Sequence, residues 1–348
     1  MKRRQLLRYL QTSTGGLIAA RFVAGCSAPK PPLSAFDPLV KSDTLPEHLI
    51  TPTEEFYVQS YGSAPTVESA TWRLEITGKV KQPLQITFDD ILRSPQQSFY
   101  LTLECIGNAV GGNQIGNALW QGTSLLPWLQ KAGVQPDAVE FVLHGADSYE
   151  TTLPIKDLLK SNVSLVHRMN GEPLTVDHGY PVRIIIPGRY GQKQPKWLVK
   201  IEASDRTRQG HWERRGWSNE AQIPTHGMIR QVQSKPVWNR QTAVQLERSG
   251  KTGWQQGVWI GGVALDRALP IEQVMVSTDN GQTWQQAEQN HPSSTHEWTL
   301  WRYRWQPKQP GDYTLLAYAV TERETQPVED KQWRDGNSSV LKIQVKLT

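Results

Sequence analysis

The sequence predicts an α+β chain, a mixed α/β domain followed by an all-β sandwich, and three observations carry that expectation. At 348 residues the chain exceeds one average domain. Between about residues 51 and 225, short alternating strands are interleaved with short helical patterns. Beyond about 225 the helical periodicity stops, and strands with regular turn signals run to the C-terminus.

The elements follow in order. "TWRLEITGKV" alternates as a strand, and "TFDDILRS" reads as a capped helical turn. "LLPWLQKAG" is a helix stopped by Gly133, "VEFVLHGAD" a strand and "PIKDLLKS" a helix. "YPVRIIIPG" is apolar and β-branched, the signature of a buried strand. In the second half, "IEQVMVSTDNGQTWQQA" is a hairpin whose Asn280-Gly281 supplies the positive φ angles of a tight turn. "WTLWRYRWQP" places Trp301, Tyr303 and Trp305 on one face and Arg302 and Arg304 on the other, and "GDYTLLAYAVTE" adds a further strand. Strands at this spacing over about 120 residues suggest a sandwich of immunoglobulin type.

The first residues read as an address. "MKRRQLLRYLQTSTGGLIAARFVAGC" has a basic start, a short apolar run and small residues before Cys26. Arg3-Arg4 followed by Gln5, Leu6 and Leu7 resembles a twin-arginine export motif, and Val23-Ala24-Gly25-Cys26 a bacterial lipobox. The expectation is a signal over 1–26, a Pro- and Ser-rich linker or arm over 27–50, and domains over 51–225 and 226–348. The product would be exported, periplasmic and membrane-attached through lipidated Cys26. The first 25 residues hold five cations and no acid, so subtracting them from the formal +5 leaves a mature charge of about zero. The basic pI therefore gives no case for nucleic acid.

With Cys26 lipidated, Cys105 is left without a disulfide partner, at the end of an alternating strand with Phe99, Leu101 and Leu103 on its face. It reads either as a small core residue or as a functional thiol. The loop behind it, "IGNAVGGNQIGN", is expected to offer flexible backbone N–H groups rather than apolar cover. No C-x-x-C, H-x-H, H-E-x-x-H or nucleotide-loop spacing is present, which leaves a thiolate ligand for a metal held otherwise by a cofactor. Arg183 interrupts the buried strand, and a buried guanidinium calls for an anion. With Arg189, Lys193 and Lys196 in the next loop, a phosphorylated cofactor across the strand end answers both; a surface arginine with a solvated basic loop is the other reading.

Together, "LTLECIGN" and "MNGEPLTVDHGYPVRIIIPGRYGQKQPKW" resemble the sulfite oxidase superfamily of molybdopterin-dependent oxidoreductases, and the similarity runs from "EEFYVQSYG" to the C-terminus. The resemblance implies a sulfite oxidase-type molybdopterin-binding domain followed by an immunoglobulin-like dimerisation domain. It implies a molybdenum–molybdopterin cofactor, with the Cys105 thiolate on the metal. Pterin contacts are implied for His178, Arg183 and Gln194, Pro195 and Lys196, and by looser matches for Tyr57, Val58, Gln59, Ser60 and Asp147.

The departures bear on the substrate. Sulfite-oxidising members carry arginines at two positions where this chain has Gln59 and Val110, so a dianion would lose two charge-assisted forks. Where those enzymes place an active-site tyrosine, this chain has His167, which reads as a catalytic proton donor or as a polar wall residue. The expected activity is two-electron oxygen-atom transfer on a small oxo donor or acceptor other than sulfite. With no haem or iron–sulfur pattern, electrons would pass to or from an external carrier. Two alternatives remain open: sulfite oxidation using other cations such as Arg189 or Arg206, and a non-catalytic lipoprotein. A homodimer through residues 226–348 is a further expectation.

Overall fold

A computed structural model describes residues 36–160, 162–239, 241–250, 253–327 and 333–348; the expected export signal and Cys26 lie outside them. The chain is a mixed α/β domain followed by an all-β sandwich.

Two sheets build the first domain. One orders its strands Leu84–Thr87, Arg73–Gly78, Leu198–Ser204, Glu140–Gly145 and Glu150–Pro154. Its buried alternate residues, Leu74, Ile76, Phe141, Leu143 and Ile201, pack with the helices Phe88–Arg93 and Leu126–Ala132 through Ile91 and Leu129. Thr87 caps the first of these helices, accepting from Asp90 N at 3.1 Å while its own N–H donates to Asp90 Oδ2 at 3.0 Å. The other sheet orders Gln97–Glu104, Ile115–Ser124, Ser164–Met169 and Glu172–Pro173, with Arg183–Ile185 also paired to Ser164–Met169. The apolar run "YPVRIIIPG" thus forms only a three-residue strand, but a fully buried one.

The sandwich pairs a sheet of Lys235–Pro236, His226–Val232, Val258–Leu265, Thr299–Trp305 and Glu288–Gln289 with one of Ala243–Leu246, Leu341–Leu347, Gly311–Val320, Gln273–Ser277 and Gln285–Gln286. Trp301 and Trp305 lie in the core between them, as the alternation requires. The hairpin turns at Asn280 (φ 59°) and Gly281 (φ 87°).

The first of these sheets is covered on both faces. Met228, Val263, Leu265 and Leu300 point away from the sandwich core and pack with Ile106, Ile115 and Tyr190 of the first domain. Phe36 and Leu39 join the same cluster. Arg302 holds this arm by donating to the carbonyls of Ser42 (2.6 Å) and Asp43 (2.7 Å). The cluster welds the two domains beside the end of the Cys105 strand.

Candidate active site

Strand Gln97–Glu104 stops one residue before Cys105. Leu101, Leu103 and Cys105 face one cluster with Phe56, Tyr57 and Trp120, while Glu104 points the other way, into the domain interface. Cys105 is half-buried and its backbone is pinned on both sides, by Cys105 N–H to Gln114 O (2.9 Å) and Asn108 N–H to Cys105 O (2.9 Å).

The loop that follows corrects the expectation of a flexible stretch without apolar cover. Ile106 and Ile115 are buried between the domains, and Val110 lies in the sandwich core. Buried Arg230 donates to Gly111 O (3.1 Å), Asn337 to Asn108 O (2.9 Å), and Asn108 to Glu104 Oε1 (2.9 Å). His226 approaches Glu104 Oε2 to 3.2 Å with both side chains buried. The second domain therefore holds the loop; glycine content alone does not make a segment mobile.

Beside Cys105 opens a cavity of about 220 Å³. Tyr57, Val58, Gln59, Ser60, Cys105, Asp147, His178, Arg183, Gln194, Pro195 and Lys196 all line it, so chain segments more than 100 residues apart in sequence converge there. Arg183 is buried and donates only to carbonyls, those of His178 (3.2 Å) and Gln194 (3.4 Å), with its guanidinium 5.3 Å from the Trp120 ring. Burial lowers its pKa to about 10, which still leaves it a cation at neutral pH. Among the described residues it has no carboxylate partner, an arrangement that costs stability unless an anion answers it.

The other polar groups are equally fixed. Gln194 accepts from Ile186 N (3.0 Å) and donates to Arg189 O (2.6 Å), which orients its backbone toward Arg183. Lys196 reaches Ser60 Oγ and Asp177 O, both at 2.8 Å. His178 sets its Nε2 against Thr53 O at 3.1 Å, so Nε2 carries the proton; burial lowers its pKa to about 4 and keeps it neutral at pH 7. Burial raises the Asp147 pKa, and it pushes the Tyr57 hydroxyl well above its ordinary value, keeping it a donor. Tyr57 Oη, Arg183 Nε and Gln192 Oε1 are buried in this lining without a hydrogen-bond partner among the described residues. A polar, anionic group of cofactor size fits such a surface.

Several expectations are corrected. His167 lies outside the lining: on its strand Val166 faces the Cys105 cluster, and the period of two turns His167 to the opposite side. There its Nε2 meets Gln96 Oε1 at 2.9 Å and its ring meets Phe88 edge-on. Val110 is not a pocket residue either, because the loop carries it into the sandwich. Of the basic loop only Lys196 lines the cavity. Arg189 pairs with Asp157 (3.0 Å), and Lys193 is fully buried on Glu213 and Thr152 O. Arg206 is exposed beside Asp205, so neither it nor Arg189 supplies a cation to the cavity.

Sequence reasoning missed Tyr61, Gln114, Tyr149, Gln192, Trp212 and Trp217, all in the lining. Tyr149 donates to Gln192 O (2.6 Å), and Gln114 donates to Gln59 Oε1 (3.0 Å). The paired tryptophans in "GHWERRGW" were a visible signal, since tryptophan in a polar, glycine-flanked segment is not core material.

A buried cation, a half-buried thiol and unsatisfied polar atoms around one cavity in a two-domain α+β fold define a cofactor-binding protein. Comparison with known proteins is specific about which. Residues 61–212 match the family described as oxidoreductase molybdopterin binding domain. The uncharacterized oxidoreductase YuiH of Bacillus subtilis is 34% identical over 166 residues, 47% of this chain and 82% of that protein. Mitochondrial sulfite oxidase of Drosophila melanogaster is 30% identical over 336 residues, covering 84% of this chain and 57% of that protein. The chain thus spans little more than half the length of that sulfite oxidase. The sulfane dehydrogenase SoxCD from Paracoccus pantotrophus shares the fold, with a TM-score of 0.72, 23% identity and coverage of 96% of this chain and 94% of that one. The chain belongs to the molybdopterin-binding oxidoreductase family.

Proposed function

We propose that this chain is an exported molybdenum–molybdopterin oxidoreductase that transfers an oxygen atom to or from a small neutral substrate, exchanging two electrons with an external carrier. The observation that carries the reading is the single cavity in which the Cys105 thiol, the uncompensated Arg183 cation and the Lys196–Ser60 pair meet.

Among the described residues, no three His, Cys, Asp or Glu side chains converge as metal ligands. The protein's offer is one thiolate, with the remaining ligands supplied by a cofactor. Arg183 and Lys196 would bind the anionic phosphate, and neutral His178, Asp147 and the Gln194 backbone would meet the pterin edges. Molybdenum held there supplies a two-electron redox centre for oxygen-atom transfer. Tyr57 keeps a hydroxyl proton inside the cavity, and Trp212 and Trp217 exclude water from one side. The domain division at 225/226, a homodimer through the sandwich and a lipid anchor at Cys26 belong to the same proposal.

A neutral substrate is supported by the lining itself, in which neutral Gln59 and Gln114 bond to each other and from which Arg189 and Arg206 are absent. The test is sulfite oxidation by the matured enzyme and by Gln59→Arg. Wild type should turn over sulfite poorly, and the variant should gain about tenfold in kcat/KM, one charge-assisted hydrogen bond's worth. Efficient sulfite oxidation by wild type, unchanged in the variant, would contradict the neutral-substrate reading.

A further inference from the structure

The wall that faces Cys105 has a composition of its own. Trp212 and Trp217 meet edge-to-face at 6.3 Å, and Trp212 meets His211 at 5.0 Å in the same manner. His211 in turn meets Tyr61 at 4.2 Å. These rings stand on a short turn, Glu213–Arg215, that is fastened from below. Buried Glu213 pairs with Lys193 and accepts from Thr151 Oγ1 (2.7 Å), Trp217 N–H donates to Trp212 O (3.2 Å), and Gln192 reaches Ser218 O (3.0 Å). The aromatic wall is thus built onto the same Gln192–Lys193 segment that leads into the cofactor loop.

Gly107 lies beside the thiol in the same lining. A Cβ placed there would stand 3.6 Å from Trp217 Cη2 and 3.9 Å from Cys105 Sγ. The indole edge and the sulfur therefore both lie within van der Waals reach of one point beside Gly107. Gln59 and Gln114, joined by one hydrogen bond (3.0 Å), belong to the same lining.

We infer that Trp217, with Trp212 behind it, is a specificity element that selects substrates carrying a flat aromatic ring directly next to the oxygen-bearing atom, such as aryl sulfoxides and heteroaromatic N-oxides. This deepens the oxygen-transfer reading and rests on it. The oxide takes two protons and two electrons, its S–O or N–O bond breaks, and the deoxygenated ring compound and water leave. A reduced viologen dye, a one-electron donor used twice per turnover, balances the reaction. The ring packs against indole, and the amides give hydrogen bonds without demanding an anion.

The test uses the matured holoenzyme with pyridine N-oxide and trimethylamine N-oxide, matched in the N–O group and different in the ring. The expected result is a kcat/KM at least about tenfold higher for pyridine N-oxide, lost in Trp217→Leu. Calorimetric titration without electron donor should show the same preference in binding. Gly107→Ala, whose added methyl makes only ordinary contacts, should lower the pyridine N-oxide rate more than the trimethylamine N-oxide rate. Equal rates in wild type, or a preference that survives Trp217→Leu, overturn the inference and leave oxygen transfer standing. Ring-selective binding without reduction of either oxide keeps the selectivity and overturns the oxygen-transfer reading. No binding and no reduction of either overturns both.

Discussion

The two walls of the cavity obey different rules. The Arg183 wall is charged and buried: Arg183 and Gln194 are aimed by backbone carbonyls and an amide, and among the described residues the guanidinium has no carboxylate partner. The Trp217 part of the lining is aromatic, and it shares the cavity with the amides of Gln59 and Gln114, which are joined by one hydrogen bond. A site that must hold one invariant, highly charged cofactor can afford buried uncompensated charge, because the bound state repays it. A site that must release what it binds at every turnover is made of contacts worth less each.

The sharpest way to break this comparison is to put a cation where the structure forbids one. Val110 sits where resemblance suggested a substrate-binding arginine, yet it is packed in the sandwich core near Leu341. Val110→Arg should therefore cost about 3–5 kcal/mol of stability, read from the urea midpoint, as an unpaired buried charge does. A variant of normal stability that gains sulfite affinity would return Val110 to the pocket.

The converse change sharpens the cofactor wall. Arg183→Met removes a buried charge, so protein purified without cofactor should be no less stable, or up to about 1 kcal/mol more so. Cofactor retained through purification should fall at least about tenfold, measured as pterin fluorescence after release. A variant that keeps its cofactor but loses stability would make Arg183 a structural residue.

A pH dependence sharpens the same wall. His178 has a folded pKa of about 4 against 6.5 unfolded, so the unfolded chain binds more protons between those values. Its contribution is complete above about pH 6.5 and is lost as pH falls toward 4. Between pH 7 and pH 5 the cofactor-free protein should lose about 2 kcal/mol through this residue. His178→Gln should shrink the loss by that amount in paired denaturation curves.

Much of the first wall was legible in the sequence because it is made of rule-breaking residues. A guanidinium inside an apolar strand and a lone thiol at a strand end are local anomalies, and each resolved into a cavity residue. The second wall was legible only in fragments, in Gln59 and in the tryptophans of "GHWERRGW". Whether Val110 or Ile106 follows Cys105 into the cavity depends on how the loop docks on the sandwich, and no local pattern encodes that. His167 failed for a simpler reason: the strand's period of two places it opposite Val166, so its face could be assigned only once the cavity side was known. Trp212 and Trp217 come from a turn with no periodicity, positioned by the Lys193–Glu213 pair. In the sandwich, by contrast, alternation and the Asn280-Gly281 turn sufficed, because local chemistry there sets the register.

The measurement that tests the central claim most directly is X-ray absorption at the molybdenum edge, with metal content, on protein matured in a pterin-competent host and on Cys105→Ser. The account predicts about one molybdenum per chain in wild type and one fewer sulfur neighbour in the variant. Folded, properly matured protein without molybdenum, or an unchanged sulfur shell in the variant, would contradict it and leave Cys105 a core thiol.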